Sequence, residues 1–240
     1  MIQNKRHIFV LGLVFATALT PAAKASNRLV PLRNVSNLSA DRQSVVLSSD
    51  INLKGLNPSV YELAFKAHQK ALENKKVASS SILAVVDYSL PSTEKRLWVF
   101  DLDKRKVILK DYVAHGRDAS GGESLMANYF SNTPNSNASS LGVFMAGKTY
   151  RGKHGLSLRL KGLEREFNTN AEKRSIVIHA APYVSQRFMQ QAGRLGCSYG
   201  CFSVRPQISG KLIKRLPEGS LLFAYYPDEN WMKKSDFITD

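Results

Sequence analysis

The chain has 240 residues, of which 43% are hydrophobic and 22% charged, with two cysteines and a formal net charge of +15. That length holds one domain with a sizeable core, or one domain plus an arm. The charge draws the protein towards anionic surfaces such as carboxylate polymers, phosphate polymers or lipid headgroups. No apolar run after the first 25 residues reaches the length of about 20 residues that spans a bilayer.

The N-terminus predicts a cleaved secretory leader over 1–25. Lys5 and Arg6 precede the run HIFVLGLVFATAL, and Ala23-Lys24-Ala25 places small residues where a signal peptidase reads them. An exported location argues against nucleic acid as the partner of the basic surface. A region over 26–80 follows, made of a flexible Ser/Asn-rich arm and a helix. Asn57 is the expected N-cap and Pro58 opens the first turn. Val60, Leu63, Ala64, Ala67, Ala71 and Leu72 recur at helical spacing, with His68 at the edge of that stripe.

Strands dominate from there. SILAVVDYSL (81–90), RLWVFDL (96–102) and KVILKDYVAHG (106–116) read as a three-strand meander. Gly121 to Ser140 is too rich in Asn and Ser for one regular element. Strands resume at SLGVFMAGKTY (140–150), GLSLRL (155–160) and SIVIHAA (175–181). Two short helices follow, over 183–193 and 207–216, then a last apolar strand over 219–226 and a polar tail over 228–240.

Both cysteines fall in GRLGCSYGCFSVRP, Gly193 to Pro206. Under oxidising conditions two cysteines pair by default. A Cys197–Cys201 disulfide needs Cα atoms within about 7 Å. A zinc site drawing on Cys197, Cys201, His179 and His154 is disfavoured, because Cys-X3-Cys is not a common zinc-knuckle spacing. The third reading makes Cys201 a nucleophile. His179, at the exit of an apolar strand, supplies an imidazole to favour the thiolate. Gly200 permits close backbone approach, and the amides around Gly200 and Cys201 are candidates for an oxyanion hole. Arg194 and Arg205 flank the stretch.

HAAPYVSQRFMQQAGRLGCSYGCFSVRP resembles the signature of the bacterial murein L,D-transpeptidase catalytic domain (YkuD-type): a strand-end histidine, a spacer, then Ser-X-Gly-Cys. The likeness extends over LAVVDYSLPSTEKRLWVFDLDKRKVILKDYVAHGRD, NYFSN, SSLGVFMAGKTYRGKHGLSLRLKGLE and RSIVIHAA. It implies a mainly β catalytic domain over 81–227, a sandwich or barrel with a few short helices, preceded by the N-terminal helix. Cys201 matches the nucleophile and His179 its base. Ser198, Tyr199 and Gly200 match the loop that shapes the thiolate site and oxyanion hole. Arg205, His115, Tyr150 and His154 are placed as substrate-binding candidates. The implied donors are peptidoglycan stem peptides, with a second stem or a wall-attached lipoprotein as acceptor, and neither metal nor organic cofactor is required. Two departures stand out: Ala180 follows His179 where glycine is usual, and Cys197 stands where serine is typical. Hydrolysis by the same Cys–His pair, and a non-enzymatic wall-binding module stapled by Cys197–Cys201, remain open alternatives.

Overall fold

A computed structural model describes residues 51–78 and 81–239. The expected leader and the arm up to residue 50 lie outside them. Helix α1 (Pro58–Glu73) begins where its capping chemistry predicts. Asn57 Oδ1 accepts the Ser59 N–H at 2.9 Å, and Pro58 sits in the first turn, where no N–H is needed. Val60, Ala64, Ala67 and Ala71 are buried, and so are Tyr61 and Phe65. That face packs on β1 (Ile82–Asp87) and β8 (Leu221–Tyr225). His68, expected at the boundary, is buried with them.

The remaining strands are β2 (Leu97–Asp101), β3 (Lys106–Asp111), β4 (Gly142–Gly152), β5 (Gly155–Gly162), β6 (Val177–Ala180) and β7 (Phe202–Val204). All eight form one sheet in the order β3-β2-β1-β8-β4-β5-β6-β7. The β1–β8 and β6–β7 pairs are parallel; the others are antiparallel. Central strands β1, β2 and β8 are buried along nearly their whole length, which is why they read as unbroken apolar runs rather than alternating ones.

The expected strand over 106–116 is divided. It leaves the β2 ladder at Asp111, whose carboxylate receives Arg205 Nε at 2.7 Å and Nη2 at 2.5 Å. The chain then crosses to the far edge of the sheet. Val113 bridges Val204 of β7, and the Ala114 N–H donates to Ser203 O at 2.9 Å. The two outer strands are thereby joined, which gives the sheet its barrel-like closure and covers the β7 edge.

Helix α2 (Gln186–Ala192) starts on Ser185, whose hydroxyl accepts the Phe188 N–H at 3.2 Å, and ends on Gly193 at φ 68°. Helix α3 (Pro206–Lys214) buries Leu212 and Ile213 and packs on β5 and β6. Two elements depart from the sequence reading. β7 is only three residues long, too short to show a period. The tail read as polar forms α4 (Glu229–Lys234), with Asp228 capping the Trp231 N–H at 2.8 Å. Trp231 is fully buried against Phe223 and Tyr225, and its indole N–H donates to Glu164 Oε1 at 3.0 Å. Phe237 and Ile238 are buried too, so the tail is part of the core.

Candidate active site

Cys201 stands at the end of a tight turn and immediately before β7. Ser198 builds the turn: its Oγ–H donates to Cys201 O at 2.7 Å and its Oγ accepts the Gly200 N–H at 3.1 Å. Its own N–H donates to His115 O at 2.8 Å. Gly200 takes φ +100°, and a Cβ there would lie 2.5 Å from Ala138 O and 3.0 Å from Arg174 Nη2. Only glycine meets both demands. The expectation that the Gly200 amide faces a substrate oxyanion is corrected by the same geometry, since that N–H is held inside the turn by Ser198.

The half-buried Cys201 thiol donates to Ser175 O at 3.6 Å. Ser175 has φ 56°, a left-handed backbone unusual for serine, just ahead of β6. Burial raises the Cys201 pKa; the Val177 backbone and the charges of Arg174 and Lys153 oppose the rise. The resting sulfur is therefore a protonated thiol at neutral pH. Arg174, not singled out from the sequence, lines the same cavity as Cys201 and its charge acts on the sulfur. Its Nη1 donates to Ser131 O at 2.6 Å and Ser140 Oγ at 2.5 Å, and its Nη2 to Ala138 O at 2.6 Å and Ser136 Oγ at 3.2 Å. All four acceptors are neutral, so the guanidinium charge is left to act on the sulfur.

His179 lies on β6, 4% exposed, and the parallel register pairs it with Ser203 of β7. Its Nδ1 is 2.8 Å from Ala180 O. A carbonyl only accepts, so Nδ1 carries the proton and Nε2 is the basic nitrogen. Burial lowers the His179 pKa, the Ala180 carbonyl raises it, and His154 and Lys153 lower it further. The imidazole is thus neutral at pH 7, the form a general base needs. Its Nε2 lies 2.9 Å from Ser203 Oγ, which in turn lies 2.9 Å from Tyr183 Oη.

Cys201, His179, Cys197, Ser198 and Tyr199 line one open cavity of about 660 Å3, together with Tyr150 and His154 from the β4–β5 hairpin. The His154 ring stacks on His179 with centroids 4.3 Å apart. Tyr150 is covered by Arg159, whose guanidinium carbon is 4.5 Å from the ring centroid. Tyr199, 66% exposed, carries Arg117 over its ring at 5.3 Å. The other two candidates are placed elsewhere. Arg205 is clamped to Asp111 with Tyr112 beneath it, so its fork holds the end of β3 rather than facing the cavity. His115 is buried behind the wall: Arg96 Nη2 donates to its Nδ1 at 2.7 Å, and its Nε2 lies 3.9 Å from Cys197 Sγ. Burial and the charges of Arg96 and Arg194 push the His115 pKa down to about 3.

Cys197 and Cys201 are both free thiols, the first directed at His115 and the second at Ser175. Burial raises the Cys197 pKa as well. Among the described residues, no group of three or more His, Cys, Asp or Glu side chains is arranged to hold a metal ion. No helix in that part of the chain is long and apolar enough to cross a membrane.

No curated protein matches the chain significantly in sequence. Among solved structures, an L,D-transpeptidase from Mycobacterium smegmatis is similar at 13% identity and TM-score 0.38, covering 61% of this chain and 59% of that one. One from Stackebrandtia nassauensis is similar at 16% identity and TM-score 0.34, covering 79% of each chain. L,D-transpeptidase 1 of Mycobacterium tuberculosis is similar at 12% identity and TM-score 0.34, covering 60% of this chain and 61% of that one. The chain thus spans about three-fifths of the mycobacterial proteins it matches. The decisive likeness is in sequence. The L,D-transpeptidase catalytic domain profile matches residues 52–225, from just before α1 to the end of β8 and through both halves of the Cys–His site. With that match over most of its length, the chain belongs to the L,D-transpeptidase catalytic domain family.

Proposed function

We propose that the protein is an exported cysteine L,D-transpeptidase acting on peptidoglycan stem peptides. The observation that carries this reading is the placement of the Cys201 thiol and the neutral, Nδ1-protonated His179 in one open cavity. Loss of the thiol proton towards His179 gives a thiolate that attacks the carbonyl of the third stem residue. Collapse of the tetrahedral intermediate breaks the bond to D-Ala, which leaves as the amine after taking up the proton. A thioester on Cys201 remains. An acceptor amine, from a neighbouring stem or a wall-attached lipoprotein, then attacks the thioester and restores the thiol. The cationic side chains of Arg117, Lys153 and Arg174 around the cavity suit a substrate rich in carboxylates. None of these steps calls for a metal or an organic cofactor.

Water in place of the amine would make the same site an L,D-carboxypeptidase or a cross-link hydrolase. Purified protein incubated with defined tetrapeptide muropeptides, with products identified by mass spectrometry, separates these outcomes. Cross-linked dimers with release of D-Ala are expected, and Cys201→Ala should abolish both. Tripeptide alone would assign hydrolysis. Unchanged muropeptides with the wild-type protein would reject the enzyme reading.

A further inference from the structure

The register of β6 and β7 brings together three side chains whose connection lies outside the motif. His179 Nδ1–H is committed to Ala180 O, so the ring has one basic nitrogen, Nε2. That nitrogen is 2.9 Å from Ser203 Oγ, and it accepts, so Ser203 donates its hydroxyl proton to it. Ser203 Oγ then has lone pairs to offer, and Tyr183 Oη at 2.9 Å fills one by donating to it. The resulting chain is Tyr183 O–H to Ser203 O–H to His179 Nε2. Ser203 is fully buried, whereas Tyr183 borders the same cavity as Cys201. Cys201 directly precedes β7, two residues from Ser203, and its thiol lines the cavity that His179 and Tyr183 also border.

We propose that Ser203 is a positioning residue that relays the Cys201 proton to His179, with Tyr183 anchoring the relay from the cavity side. The inference rests on the reading of Cys201 as nucleophile and His179 as its base. The sulfur turns from the Ser175 carbonyl and donates to the open lone pair of Ser203 Oγ. As the S–H bond breaks, a new Oγ–H bond forms. The original Oγ–H bond breaks and an Nε2–H bond forms in its place. The net result is one proton moved from sulfur to Nε2, a thiolate and imidazolium where a thiol and imidazole stood, and a neutral serine throughout. Tyr183 stays neutral and holds Ser203 Oγ in line. The reverse passage delivers the proton to the leaving amine.

The test reads the thiol without a stem peptide, so it stands apart from any failure of the transpeptidase reading. Wild type, Ser203→Ala, Ser203→Thr, Tyr183→Phe and His179→Ala are alkylated with iodoacetamide from pH 5 to pH 10. Labelling of the Cys201 peptide is quantified by mass spectrometry, and circular dichroism confirms the fold. The relay predicts that Ser203→Ala slows Cys201 labelling at pH 7 by about tenfold and moves its pH midpoint up to that of His179→Ala. Ser203→Thr, which keeps a hydroxyl, should restore most of the rate, and Tyr183→Phe should cost a few-fold. If Ser203→Ala labels like wild type while His179→Ala is slow, His179 reaches the sulfur directly and the relay is wrong. A wild-type profile in both variants would overturn the relay and the base assignment together. Should Ser203→Ala fail to fold, a wild-type profile in Tyr183→Phe together with a slow Ser203→Thr would also reject the proposal.

Discussion

Gly200 shows how much of the site hangs on one backbone position. Its φ of +100° and the 2.5 Å approach of Ala138 O to any added Cβ leave no room for an L side chain. The turn places Cys201 against Ser175, so displacing it moves the sulfur. Gly200→Ala should cost about 1–3 kcal/mol of stability and slow Cys201 alkylation and turnover at least tenfold, as read by thermal melting and thiol labelling. A folded variant with wild-type labelling would show that the turn tolerates the shift. Cys201, His179 and the Ser198–Gly200 turn could be singled out because a cysteine, a strand-end histidine and a glycine stand there in a recognisable order. Arg174, Tyr183 and Ser203 could not. Arginine, tyrosine and serine are common everywhere, and only the folded chain shows which of them meets His179 or lines the cavity beside Cys201. Arg205 erred the other way: a basic residue close to Cys201 in sequence proved to be a clamp on Asp111.

At the scale of elements, α1 followed its capping residue and periodicity, and the long central strands followed their unbroken apolar runs. The exceptions were short or locally polar. In α4, Glu229, Asn230, Lys233 and Lys234 surround Trp231, so the segment reads as solvent-exposed until the indole is seen in the core. Trp231→Ala would open a cavity against Phe223 and Tyr225 and remove the donor to Glu164 Oε1. The cost should be about 3–5 kcal/mol, measured by urea unfolding. A loss under about 1 kcal/mol would mean that the tail is dispensable to the core, contrary to its packing. The β4–β5 hairpin carries Tyr150 and His154 to the cavity wall, and His154 reaches His179 through ring stacking rather than through substrate alone.

For the whole molecule, the buried, neutral His115 couples folding to pH. Its folded pKa of about 3 lies below the ordinary 6.5, so the unfolded chain binds the proton first. This contribution to stability is present above about pH 6.5 and is lost as pH falls towards 3. The slope approaches about 1.4 kcal/mol per pH unit in that window. His179, also lowered, acts in the same direction. Urea unfolding at pH 7 and pH 4.5 should show a smaller loss in His115→Gln, whose amide oxygen can still accept from Arg96, than in wild type. Equal losses would place the acid sensitivity elsewhere. By itself the sequence determined the family, the mainly β class and α1, and it singled out Cys201 and His179 as the candidate nucleophile and base, because these depend on local periodicity, capping and motif spacing. Only the tertiary structure decided which hydroxyl meets His179, where Arg205 and His115 point, and that the outer strands join at Val113 and Val204. Those contacts are set by strand register and chain crossing between segments dozens of residues apart, and no local pattern encodes them.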